Sequence, residues 1–322
     1  MTFTNAPLLP GGRAGARWSV ARPLEGVTSA DADVLRYDDL SFYGVHGRVG
    51  LTLYMPSARM VAIHGAPDIV APYSAGWGEG LTAARTACEA LTRTAHVMAV
   101  VIEYPRRRLG VSDILPFRTT VVTEVVRHIM TQTVYDSTQM VLTGYSRGTA
   151  PARRASLACS DLLTGLCLVA PTWFGRELAP HELAARGLAE SARGMTRGSW
   201  YDRLGLFAAN ARLAQEMMAH PFDLRNDVAA ISQEGGEDIT DLLSTGVPVG
   251  VVAGRQDELC PIAGIRSVID RLPEHALEYH EVDSDHFNYF IHPKPLATVA
   301  ELVTRLGTAH HVDEGEGWAT EA

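Results

Sequence analysis

Lysine is almost missing from this chain: of its 28 lysines and arginines only Lys294 is a lysine. Such a skew reflects GC-rich coding more than chemistry. An excess of positive charge is missing too. The net charge is −9 at neutral pH, which excludes general nucleic-acid binding or adsorption to anionic membranes as the expected role. Cysteine is scarce, with Cys88, Cys159, Cys167 and Cys260 far apart and no CxxC pair. That spacing argues against a disulfide scaffold and for reduced thiols in a cytoplasm. No run approaches the roughly 18 consecutive apolar residues of a membrane span, and the first residues lack the apolar stretch of a signal peptide. The expectation is a cytoplasmic protein with no membrane insertion. No internal repeat is visible.

What the chain does have is apolar substance: 46% hydrophobic residues in a length of 322, enough for one large α/β domain or two small ones. Residues 1–30, rich in Gly, Pro and Arg, read as a flexible arm. "DVLRYDDLSFYGV" and "GRVGLTLYMP" alternate as antiparallel strands do. Buried apolar runs then alternate with helical stretches. "ARMVAIHG", "HVMAVVIEYP", "QMVLTG" and "LTGLCLVAP" read as strands. "GEGLTAARTACEALTRT", "FRTTVVTEVVRHIMTQTV" and "RGTAPARRASLACSD" read as the helices between and after them. This pattern predicts an α/β fold with a mostly parallel sheet covered by helices on both faces. Over 172–240 the alternation stops, and three helical pieces follow one another without a strand. A helical cap inserted after the sixth strand accounts for them. The alternation resumes with "VPVGVVAG", "AGIRSVIDRL", "ALEYHEVD" and "PLATVAELVTRLG". The expected core is therefore 31–171 with 241–308, followed by an acidic tail at 309–322. His310 and His311 belong to that solvated tail.

Gly144-Tyr145-Ser146-Arg147-Gly148 fits G-x-S-x-G, a string that is weak evidence alone. Its setting is stronger, because it closes a buried strand and opens a helix. A serine at the apex of that turn needs a positive φ, and the positions two before and two after it pass close together. Gly144 and Gly148 provide the room. Serine is a poor nucleophile without a base beside it. Of twelve histidines, His286 in "SDHFNYFIHP" follows a strand and falls at the serine's edge of the sheet. His275 precedes that strand, His280 lies within it, His128 falls on a helix and His96 at a strand entrance. The base needs a carboxylate to fix its tautomer. Asp257 in "VVAGRQDELCP" follows a strand, with Glu258 as nearest competitor, while Asp283 and Asp285 suit turn and capping duties. The order Ser, Asp, His results. Oxyanion donors are expected from the amide of Arg147 and, after "MVAIHGAPDIV", from that of Ala66, with His64 holding that loop's shape.

With "HGAP", "EYPRRRLGVSD", "GYSRG", "GRQDELCP" and "DHFNYFIHP" in this order, the chain resembles the α/β-hydrolase superfamily over about residues 35–308. The resemblance implies the fold and a Ser146–His286–Asp257 triad. Departures from the usual family pattern are the three arginines of "EYPRRRLGVSD" and Asp285 where glycine is frequent. A serine at the elbow argues against the carboxylate-nucleophile branches, haloalkane dehalogenases and epoxide hydrolases.

The resulting expectation is a serine hydrolase acting on an ester, thioester or activated amide of a small apolar-acyl substrate. It implies no metal or organic cofactor and is compatible with a homodimer. Trp77, Tyr145, Trp173 and Phe174 fall where they could line an acyl pocket, or equally pack under a cap. Arg106–Arg108 read as a solvated basic loop. Trp200, Leu204, Phe207 and Leu213 are spaced to pack the cap onto the core. Three other readings stay open: thioesterase-like acyl transfer or cyclisation, lyase or carbon–carbon bond chemistry, and ligand binding with an idle triad.

Overall fold

The computed structural model describes residues 19–20, 32–40, 45, 47–76, 81–105, 109–132, 139–174, 176, 178–196, 221–234 and 239–309. Nine described strands form one sheet: β1 (Ser19–Val20), β2 (Ala32–Leu40), β3 (Val49–Pro56), β4 (Ile69–Ser74), β5 (Met98–Glu103), β6 (Gln139–Tyr145), β7 (Gly165–Val169), β8 (Val249–Gly254) and β9 (Glu278–Val282). Their order is β1-β2-β3-β5-β4-β6-β7-β8-β9. Pairing is antiparallel from β1 through the β3–β5 contact and parallel from β5 to β9.

The helices are α1 (Ala58–His64), α2 (Leu81–Ala95), α3 (Val111–Gln132), α4 (Thr149–Ala158), α5 (Pro180–Thr196), α6 (Pro221–Glu234), α7 (Ile262–Ile269) and α8 (Pro293–Thr308). Strands β4, β7 and β8 are buried at every position, as the apolar runs require of strands covered on both sides. Alternate residues feed opposite faces. Ala71, Tyr73, Val141, Cys167 and Val169 join one core cluster with residues of α2 and α8. Val70, Met140, Leu142, Leu166 and Leu168 join the other with residues of α3 and α4. No helix among the described residues is long and apolar enough to cross a membrane. The four cysteines are buried and none is in a disulfide.

From β4 the chain crosses one way to β5 and then returns past β4 to β6. The strand order reverses there, and it is beyond the carboxyl ends of strands at such a switch point that α/β sheets characteristically bind ligands.

Two readings of the sequence are corrected here. "ARMVAIH" is a helix, not a strand, capped by Ser57, whose Oγ accepts from the Met60 amide, and ended by Gly65 at φ +86°. The third strand of the alternation is instead "IVAPYS". Part of the supposed N-terminal arm is also structured, since Ser19 and Val20 pair with Asp38 and Tyr37. Between β7 and β8 the described elements are α5, α6 and a short 3-10 turn at Thr240–Thr245, with no strand among them. The helical piece predicted over 199–219 lies outside the described residues.

Candidate active site

Ser146 follows β6 directly and adopts φ +51°, a conformation that L-residues other than Gly, Asn and Asp rarely hold. The turn is crowded on both sides. A Cβ on Gly144 would come within 2.8 Å of the Gly148 carbonyl oxygen, and one on Gly148 within 2.0 Å of the Ser74 carbonyl oxygen. Both contacts are with backbone, which has nowhere to retreat. Gly148→Ala is therefore expected to cost about 3 kcal/mol of stability, measured by chemical denaturation. Near-native stability would show that the close approach is not needed.

His286 follows β9, in a loop that the acid-bearing loop after β8 grips by main-chain bonds. The Arg255 amide donates to the Val282 carbonyl at 2.9 Å and the Gln256 amide to that of Ser284 at 3.1 Å, extending the ladder past both strand ends. This zippering brings Asp257 beside His286. Asp257 Oδ2 lies 2.8 Å from His286 Nδ1, and His286 Nε2 lies 2.9 Å from Ser146 Oγ. All three residues are at most 4% exposed. Asp257 Oδ1 accepts from the Cys260 amide at 2.7 Å, and Oδ2 also accepts from the Tyr289 hydroxyl at 3.2 Å. Burial pushes the His286 pKa down, but the facing Asp257 carboxylate, together with Cys260, outweighs it and the imidazole is held well above its ordinary range.

Asp257, Cys260 and His286 each place one ligand-type atom within 4.8 Å of the others. Both imidazole nitrogens are already hydrogen-bonded, one to Asp257 and one to Ser146. Burial pushes the Cys260 thiol up, keeping it protonated. The set therefore reads as a hydrogen-bonded relay and is a poor metal cage, which needs a thiolate and a free imidazole lone pair.

The other candidates fall out as follows. Glu258 is about half exposed and pairs with Arg193 on α5, away from His286. Asp285 accepts from the Phe287 amide and the Asn288 side chain, the turn duty expected of it, whereas Asp283 accepts from the Gln256 side chain of the loop after β8. Ala66 is a correction. It precedes β4, at the amino edge marked by the Ile69–Gln139 pair, whereas Ser146 lies beyond the Ser74–Gly144 pair at the carboxyl edge. The residue that meets Ser146 from β4 is Gly76, where a Cβ would sit 3.0 Å from that of Ser146. His64 closes α1 and stacks obliquely on His96, whose Nε2 bonds the Gly65 carbonyl.

Tyr145, Trp173 and Phe174 are all buried in the two core clusters. Tyr145 stacks on the His286 ring with centroids 5.3 Å apart and donates to the His286 carbonyl, so it supports the histidine. The carbonyl of Trp173 and the backbone of Phe174 press on Gly264 of α7. Trp77 and Arg106–Arg108 lie outside the described residues. Arg147 turns its side chain away from solvent, to 1% exposure, with Nη1 2.7 Å from Asp227 Oδ1 on α6. The approach is close but off the N–H directions, so it is an ion pair without an aligned hydrogen bond.

Sequence reasoning missed Glu190 of α5, a 1% exposed carboxylate that accepts from the main-chain amides of His286 and Glu258. A signal was available, because Leu183, Gly187 and Glu190 recur on one helix face and the first is buried. A charged residue on an inward stripe invites the question of what it bonds.

No family model matches the sequence, and no curated protein matches it. Solved structures do. Carboxyl esterase 2 from the fungus Tuber melanosporum superposes at a TM-score of 0.54 with 17% identity, covering 95% of this chain and 93% of that one. A thermostable esterase from Pseudomonas putida gives 0.53 with 12% identity over 88% and 84%. An α/β-hydrolase fold protein from Chitinophaga pinensis gives 0.51 with 15% identity over 82% and 94%. At such identities the likeness establishes architecture, and with the strand order and the serine turn already described it makes this chain an α/β-hydrolase fold protein.

Proposed function

We propose that the protein is a serine hydrolase that cleaves a carboxylic ester through an acyl-enzyme. The observation that carries this reading is the continuous chain Asp257–His286–Ser146, at 2.8 and 2.9 Å, ending in a serine held at positive φ. That several similar folds are named esterases supports it. In this reading His286 Nε2 takes the Ser146 proton as Oγ attacks the ester carbonyl, and Asp257 stabilises the imidazolium. The Arg147 amide at the start of the elbow helix receives the developing oxyanion. A second donor comes from the segment after β4, where Gly76 adjoins Ser146, and replaces Ala66 in that role. His286 then returns the proton to the leaving alcohol, and water repeats the sequence to release the acid. Helices α5 and α6 belong to a cap over 172–240, with α6 fastened by the Arg147–Asp227 pair and by Asn226, whose side chain donates to the Leu109 carbonyl.

Hydrolysis of short p-nitrophenyl esters by the purified protein tests the reading, and thioesters with alternative acceptors distinguish hydrolysis from acyl transfer. The pH dependence carries a specific expectation. His286 must be neutral to accept the proton, and Asp257 favours its charged form, so kcat/KM should rise with pH through a midpoint above the ordinary histidine value of 6.5. An acid limb centred at or below that value would show that Asp257 does not govern the base.

A further inference from the structure

We propose that Glu190 is a positioning residue for the His286–Asp257 pair, holding the two loops that carry them in one register. This rests on the serine-hydrolase reading above. Glu190 Oε1 accepts the His286 amide at 2.7 Å, and Oε2 accepts the Glu258 amide at 3.2 Å. One donor is the main chain of the candidate base; the other belongs to the residue directly after the candidate acid. Each arm of the carboxylate faces a group that can only donate. Glutamine could satisfy one of them and would turn its own NH2 against the other, so a carboxylate is the side-chain group that suits the site.

The surroundings fit a rigid clamp. Glu190 is 1% exposed, and one turn earlier a Cβ on Gly187 would reach Leu259 at 4.0 Å, so α5 lies directly on the 257–260 loop. Outside this contact Arg193 pairs with the Glu258 side chain at the surface. The clamp thus reaches the imidazole through its own backbone, while Tyr145 holds the carbonyl side of the same residue. A helix inserted between β7 and β8 therefore sets the aim of His286 at Ser146 without touching either reacting atom.

The test compares wild type, Glu190→Gln, Glu190→Asp and Arg193→Ala on a short p-nitrophenyl ester, with unfolding followed in parallel. Glu190→Gln is expected to lower kcat about 10- to 100-fold, as slight misplacement of a base does, with KM within about twofold. Glu190→Asp keeps both acceptors on a shorter stem and should recover part of that loss. Arg193→Ala removes only a surface ion pair and should keep kcat within about twofold. Wild-type kcat in Glu190→Gln would overturn the proposal, as would a loss confined to KM or an equal loss in Arg193→Ala. Should Glu190→Gln fail to fold, Glu190→Asp decides: a several-fold lower kcat at unchanged KM supports the role, and wild-type kcat overturns it. Ester hydrolysis that survives Ser146→Ala removes the serine-nucleophile reading itself, whereas Ser146-dependent hydrolysis unaffected by Glu190→Gln removes only this inference.

Discussion

Replacing Ser146 by alanine is expected to lower kcat/KM for ester hydrolysis by about 10⁴- to 10⁶-fold, the scale seen when a triad nucleophile is removed. That corresponds to roughly 5 to 8 kcal/mol of transition-state stabilisation. The loss is large because the Oγ both forms the bond to the acyl carbon and donates its proton to His286 Nε2, 2.9 Å away. Among the described residues Ser146 supplies the hydroxyl bonded to His286 Nε2. The fold should hardly notice, since one small atom leaves a turn whose shape is set by the contacts of Gly144 and Gly148 with neighbouring backbone. Circular dichroism and the unfolding midpoint should match wild type while turnover vanishes. Undiminished ester hydrolysis would show that another nucleophile attacks the carbonyl and that the serine is a bystander.

The second large effect is at Asp257. Asparagine there should reduce kcat by about 10⁴-fold, through the tautomer of His286 and not through lost packing. Three donors converge on this carboxylate: the Cys260 amide, the Tyr289 hydroxyl and His286 Nδ1–H. An amide has one acceptor, so one orientation sets its NH2 against a donor, and the other turns it toward the imidazole. With an N–H facing Nδ1, the ring proton moves to Nε2, which then cannot accept from Ser146. The comparison of kcat across pH separates this from misfolding, since Asp257→Asn should also lose the raised midpoint of its acid limb. A loss of less than tenfold would mean that another carboxylate holds the histidine, and Glu190, which accepts from the His286 amide, is the candidate for that.

The parts of this arrangement that the sequence displays are those where side-chain type and local geometry agree. The elbow shows because only small residues fit at 144 and 148. His286 and Asp257 show because each follows an apolar run at a strand's carboxyl end. The β4 region misleads for the opposite reason. Its strand carries Pro72, which lacks an amide to donate and reads as a break, yet it pairs with Val100 in the sheet's interior. The preceding "ARMVAIH" looks like a strand by composition, but its apolar side chains are not buried, Ile63 being 62% exposed. Ser57 and Gly65 were the cues that mark it as a capped helix. Mistaking which segment is the strand displaced the second oxyanion donor to Ala66, on the wrong edge. Glu190 was hidden differently. Its helix stripe marks it as facing inward, but its partners are main-chain amides 68 and 96 residues away, and side-chain types do not show which backbone groups it bonds.

This mechanism requires Ser146 to become acylated. Incubation with an activated ester or a fluorophosphonate, followed by acid quench and mass spectrometry of the digested protein, reads this directly. The account predicts one covalent adduct, on the peptide containing Ser146, absent after Ser146→Ala and strongly slowed after Asp257→Asn. An adduct on another residue, or ester turnover with Ser146 unmodified at every quench time, would contradict it.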